Sequence, residues 1–172
     1  MAKAKAIPEG CEGIIPHLIV EGGSKAVEFY KKAFGAEEVM RMPAPDGRLM
    51  HAELRIGGSL VFLCDDFPEM CGGQARNPKA LGGTPGNIHR YVPDVDAVVR
   101  RAADAGATVK MPPTDMFWGD RYGVVEDPFG HQWAFATHQK DLTPEEMGRA
   151  QAQAFASAPG EKPAPSGKKP RK

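Results

Sequence analysis

The chain offers almost nothing that would take it to a membrane or to a nucleic acid. Across 172 residues no apolar run approaches a bilayer span. The N-terminal MAKAKAIPEG lacks the apolar centre of a signal peptide, so the expected compartment is cytoplasmic. Neither sign of charge dominates. Lys plus Arg and Asp plus Glu number 22 each, leaving no global field to steer the protein to a polyanion or a membrane surface. Cysteine is scarce: Cys11, Cys64 and Cys71 are odd in number and have no C-x-x-C spacing. Reduced thiols are expected, with Cys64 a small core hydrophobe at the end of a strand. G-x-S-x-G, phosphate-loop and dinucleotide fingerprints are missing as well, and GGTPG (82–86) has glycines but no phosphate-binding lysine.

What is present is an internal repeat. HLIVEGGSKAVEFYKKAFGAEEVMRMP from His17 and HRYVPDVDAVVRRAADAGATVKMPP from His89 run in parallel. Each opens with a β-type run ending at Val20 or Val92, passes through a helical stretch, and enters a second strand. Val27, Tyr30 and Phe34 fall at i, i+3 and i+7, as do Val95, Val98 and Ala102. Ser24 and Asp94 are the expected N-caps, and Gly35 and Gly106 the C-cap residues. A strand pair follows each unit, turning at Gly57-Gly58 in the first half and at Asp127-Pro128-Phe129-Gly130 in the second. The fold class is therefore α+β: two β-α-β-β-β modules whose strands form a curved, partly closed mixed sheet around a pocket. The layout is a flexible arm (1–13), module one (14–64), a linker (65–86), module two (87–138), a C-terminal helix (139–156) capped by Thr143, and a disordered basic tail (157–172). Any nucleic-acid contact is expected only weakly, through that tail.

Strand alternation divides the faces. Met50, Ala52, Leu54 and Ile56 read as the apolar face of one strand, and His51, Glu53 and Arg55 as its polar face. In the last strand Trp133 and Phe135 read as the helix side, leaving the small Ala134 and Ala136 toward a concavity. Trp118 and Tyr122 flank a loop over the expected pocket mouth. The neighbours Asp120 and Arg121 orient a loop, hold a ligand anion or form a structural ion pair, the last being favoured, and His131 and His138 are expected at the surface.

EFYKKAFGAEE, MHAELRIGG, YVPDVDAVVRRAADAGA and WGDRYGVVEDPFGHQW, set on this doubled plan, resemble the vicinal oxygen chelate superfamily. That superfamily includes glyoxalases, bleomycin-resistance proteins, fosfomycin-resistance transferases and extradiol dioxygenases, and the chain is most similar to its PhnB-like branch. The resemblance runs from Ile14 to Met147. It is specific for the fold and much less so for activity, because one scaffold hosts many chemistries. It implies a homodimer with pockets at or near the subunit interface. Metal-dependent members use four ligands, and the matching positions here are Ile15, Glu53, Asn87 and Ala134. Of these only Glu53 suits the role, and it is the candidate catalytic residue.

The reading favoured is a small-molecule binding protein of the bleomycin-resistance kind without the full metal site. Its pocket would be lined by His17, His51, Glu53, His89, Trp118, Arg121, Tyr122 and Ala134. The alternative is a metal-dependent lyase or dioxygenase. His17 and His89 lie two residues beyond the matching positions and keep the same strand faces. With Glu53 they would form a three-ligand site with an open position, for Zn, Fe or Ni, with His51 as a fourth candidate.

Overall fold

The computed structural model describes residues 4–157; of the expected basic tail (157–172), Ser157 ends the last helix and the rest lies outside the described residues. Module one comprises β1 (His17–Val20), α1 (Gly23–Phe34), β2 (Glu37–Pro43), β3 (Leu49–Ile56) and β4 (Ser59–Asp65). A 3-10 turn at Pro68–Met70 and the short α2 (Pro78–Leu81) lie in the connection. Module two repeats the plan as β5 (Asn87–Tyr91), α3 (Val95–Ala105), β6 (Thr108–Asp115), β7 (Asp120–Glu126) and β8 (Gln132–His138), and α4 (Pro144–Ser157) follows. The two sheets are ordered β1-β4-β3-β2 and β5-β8-β7-β6. In each, only the first pair is parallel. The topology repeats strand for strand, and neither sheet closes into a barrel.

Local signals account for most boundaries. Gly35 (φ 66°) and Gly106 (φ 114°) end α1 and α3 in the left-handed region. Asp94 caps α3 by accepting from the Ala97 amide at 2.9 Å. Thr143 and Glu146 form a reciprocal capping box on α4. The start of α1 departs from expectation, because Ser24 does not cap it. The helix begins at Gly23, and Asp65 at the end of β4 supplies the acceptor instead. Asp65 Oδ1 accepts from the Gly22 and Gly23 amides at 2.7 and 2.8 Å, and Oδ2 accepts from the Leu49 amide at 2.6 Å. A glycine is needed at 23 because a Cβ there would sit 2.7 Å from the Leu49 Cβ.

A second departure is in β3. The β2–β3 register slips between Met42 and Pro43, so Leu49, Ala52, Leu54 and Ile56 face the core while Met50 is 38% exposed. The bulge shifts the inward set by one residue at that end. Cys64 also departs: it pairs with Ile19 on the face opposite Leu63 and is half-buried. Burial, then the neighbouring Asp65, pushes its thiol pKa up.

One apolar core spans both modules. α1 packs on α3, and the rings of Tyr30 and Phe34 lie against Trp133 and Phe135, with Phe34 centred 4.6 and 5.2 Å from the two. Asp127, 4% exposed, sits under these rings. Its Oδ2 accepts from the Tyr30 hydroxyl at 2.7 Å and the Trp133 indole at 3.0 Å. Its Oδ1 accepts from the Phe129 and His131 amides, both at 2.9 Å. The DPFG turn is therefore also the polar rivet of the inter-module core. The connection between modules is organised too: Asp66 Oδ2 accepts from the Arg76 and Asn77 amides and the Asn77 side chain. Asn77 in turn caps α2.

Candidate functional site

The helices cover one face of each sheet and leave the other to carry side chains outward. On the first sheet, His17 stands opposite Phe62 and Phe62 opposite Glu53, so strand pairing places all three on one face. His51 shares it, with its Nε2 3.4 Å from Glu53 Oε1. His17, His51 and Phe62 meet edge to face, with centroids 6.0, 6.2 and 4.9 Å apart. Partial burial, then the neighbouring charges of His51 and Arg76, hold the His17 pKa below the ordinary histidine value. A cavity of about 390 Å³ over this face is walled by Glu53, Phe62, Ile15 and Arg55, and by Pro8, Glu9 and Cys11 from the N-terminal arm.

On the second sheet, His89 pairs with Ala134 and Ala134 with Val124, while Tyr91 pairs with Ala136 and Ala136 with Tyr122. Ala134 and Ala136 therefore form a floor on the face opposite Trp133 and Phe135, as alternation predicts. Aromatic walls rise around it: His89 stacks on Tyr122 at 5.9 Å and contacts Tyr91 at 5.0 Å, and Trp118 meets Tyr122 edge-on at 5.9 Å. At one end Asp120, 4% exposed, accepts from the Tyr91 hydroxyl (2.8 Å), the Trp118 indole (3.1 Å) and His138 Nδ1 (2.7 Å). Burial pushes the Asp120 carboxyl up, but the bonds from His138 and Tyr91 outweigh it and its pKa lies below the usual value.

Five of the sequence-predicted residues thus fall on two separate faces: His17, His51 and Glu53 on the first, His89 and Ala134 on the second. Trp118 and Tyr122 stand with the second group. Arg121 points to the helix side instead, bonding Asp96 at 2.6 and 2.8 Å and Asp115 at 3.0 Å. The histidine at 131 is not simply a surface group either: it is half-buried, its Nε2 3.0 Å from the Ile19 carbonyl across the module boundary. Asp120 was weighed only beside Arg121 and proves to bond His138, Tyr91 and Trp118 instead; Phe62, Tyr91 and His138 were not singled out for the site by sequence reasoning. Their types were visible, but the register that puts Asp120 opposite His138 was not.

The donor set does not assemble an ion site within one chain. Among the described residues no three His, Cys, Asp or Glu side chains come together in a way that could hold a metal. His17 and Glu53 share one face, His89 stands on the other, and Ile15 and Ala134 bring no donor atom.

The His138 pair makes a pH-dependent prediction. Asp120, then Asp141 on its other nitrogen at 3.0 Å, raise the His138 pKa above the ordinary value. A raised pKa means that the stabilisation is full below about pH 6.5 and is lost as pH rises through the folded-state value. The thermal-stability gap between the protein and its His138→Gln variant is expected to be wider at pH 6 than at pH 9. NMR titration should place His138 above about 6.5, and Asp120→Asn should bring it down; a value at or below the ordinary one refutes the pairing.

Comparison with known proteins supports the same architecture. A family model described as the Glyoxalase/Bleomycin resistance protein/Dioxygenase superfamily matches residues 14–135. The uncharacterised protein Rv0887c of Mycobacterium tuberculosis is 52% identical over 132 residues, covering 77% of this chain and 78% of that one. The crystal structure of the Arabidopsis thaliana At5g48480 gene product superimposes with a TM-score of 0.58 at 31% identity, over 72% of this chain and 97% of that one. The fosfomycin resistance protein FosX of Listeria monocytogenes, in complex with Mn(II) and sulfate, matches with a TM-score of 0.54 at 18% identity, over 78% and 96%, and shares the fold alone.

Proposed function

Since the chain belongs to the glyoxalase/bleomycin resistance protein/dioxygenase superfamily, we propose that it binds a small planar or amphipathic molecule on its concave faces, without a full metal site. The observation that carries this reading is the second face: a floor of two alanines, both nearly inaccessible, beneath His89, Tyr91, Trp118 and Tyr122. Small floors and aromatic walls suit a flat ligand, held by stacking and oriented by few polar groups. Ala134 stands where metal-dependent members of the family carry a ligand, so the rings over it present a stacking surface with no carboxylate beneath. In this reading the protein is a cytoplasmic homodimer. Each first face (His17, His51, Glu53) would oppose the second face of the other copy, and exposed Met40, Met42 and Tyr91 would be covered. Sheet edges left unpaired within one chain give such an assembly a physical motive.

The experiment is elemental analysis of untagged protein together with native mass spectrometry. The expected result is a dimer with far less than one divalent ion per chain and an organic molecule carried through purification. About one tightly held ion per chain would reverse the order in favour of a lyase or dioxygenase using His17, Glu53 and His89. One feature favours that second reading: the lowered His17 pKa keeps its imidazole neutral and able to donate a lone pair. Glu53→Ala separates the two. It abolishes function only if the carboxylate holds an ion, and leaves ligand retention within a few-fold otherwise.

A further inference from the structure

The β3–β4 turn of module one comes up to β5 of module two, and the seam between them holds a cavity of about 180 Å³. Its walls are largely apolar, formed chiefly by Ile56, Val61, Ile88 and Trp133, with Ser59, His89 and Arg90 as the polar residues lining it. Arg90 is fixed in place. It packs on Gly57, where an added Cβ would come within 2.4 Å of Arg90 Nε, and its Nη1 donates to the Phe34 carbonyl at 3.3 Å. Arg101 from α3 approaches the same helix end, its Nε donating to the Ala33 carbonyl at 2.7 Å.

These two arginines bond differently from the three that hold ion pairs. Arg41, Arg48 and Arg121 each hold two carboxylates. Arg90 and Arg101 have no carboxylate within ion-pair distance among the described residues, only one carbonyl apiece. Burial, then the charge of Arg101, holds the Arg90 pKa below its ordinary value. Two cations converge on the partial negative charge of the α1 C-terminus, and one carbonyl bond leaves further N–H groups of Arg90, beside the largely apolar cavity, for a full anion to satisfy.

We propose that this seam, which adjoins the second face at His89, is a second ligand site that takes a small organic carboxylate with an apolar body. The carboxylate would engage the unused N–H groups of Arg90, with Arg101 adding to the local potential, and the apolar part would enter between Ile88 and Val61. The volume is that of roughly six liquid waters, which suits an acid of benzoate size. Occupancy would tie β5 to the Gly57 turn and so link the modules.

The test titrates the full chain with benzoate and, in parallel, with neutral isosteric benzamide, by NMR and calorimetry. Benzoate is expected to bind in the millimolar range or tighter, perturbing the amides of Gly57, Ile88 and Arg90 and not those of Ala134 or Tyr122. Benzamide should bind at least about tenfold more weakly, as a charge-assisted contact requires. Arg90→Gln, which keeps a donor for the Phe34 carbonyl, should lose at least about tenfold for benzoate and leave benzamide unchanged. Arg101→Gln, exposed and safer for folding, should weaken benzoate a few-fold. Equal binding of the two ligands, no benzoate binding at all, or shifts confined to the concave faces would overturn the proposal. None of these results bears on whether the concave faces hold their own ligand.

Discussion

Asp127→Ala is expected to lower the unfolding free energy by about 4 kcal/mol, the largest effect of any single change considered. The carboxylate receives four donors, two from main-chain amides and two from the Tyr30 hydroxyl and Trp133 indole. Alanine would leave the hydroxyl and the indole buried without acceptors, and each orphaned donor costs about 1–3 kcal/mol. The amides would also lose the acceptor that shapes the turn. Asparagine keeps one oxygen acceptor and should cost about half as much. Urea unfolding at constant m-value reads both. In a double-mutant cycle, Tyr30→Phe should cost much less in the Asp127→Ala background than alone. A loss below about 1 kcal/mol for Asp127→Ala, or strict additivity with Tyr30→Phe, would show that the carboxylate does not rivet the modules.

The second large effect falls on the other module. Asp65→Ala removes the acceptor of the Gly22, Gly23 and Leu49 amides at once, so the first turn of α1 loses its cap and the start of β3 its tie to β4. A cost of about 3 kcal/mol is expected. Hydrogen exchange should report a local lesion, with faster exchange in the first turn of α1 and little change in β7 and β8. Ser24→Ala, by contrast, should be nearly neutral, because Ser24 takes no part in the cap. If Ser24→Ala destabilises as much as Asp65→Ala, the capping assignment is wrong.

Both residues show where reading the chain linearly stops. Asp127 was recognisable as a turn residue, since D-P-F-G carries its own Asx chemistry; that the same carboxylate accepts from Tyr30, 97 positions earlier, was not. Ser24 looked like the cap because caps are local in the common case, but the acceptor came from 42 residues away. Met50 and Leu49 could not be told apart because alternation predicts an unbroken register, and the bulge that breaks it lies across from Met42–Pro43 on the neighbouring strand. The candidate site divides in the same way. Ala134 and Ala136 were placed on the open face by period alone, while Asp120, Tyr91 and His138 needed the β5–β8–β7 alignment before they could be seen as one cluster. Arg121 went to the helix side because its partners, Asp96 and Asp115, stand there.

The sequence alone settled the duplicated β-α-β-β-β plan, the two glycine helix ends, the hairpin turns, and the alternation that sets apolar against polar faces, because all of these depend on periodicity and backbone preference within a few residues. Only the tertiary structure decided which distant carboxylate serves which amide, that His17 and Glu53 stand on a different face from His89, and that two arginines converge on one helix end. Those outcomes depend on strand register and on how two sheets pack across a shared core, and chain neighbours carry no record of either.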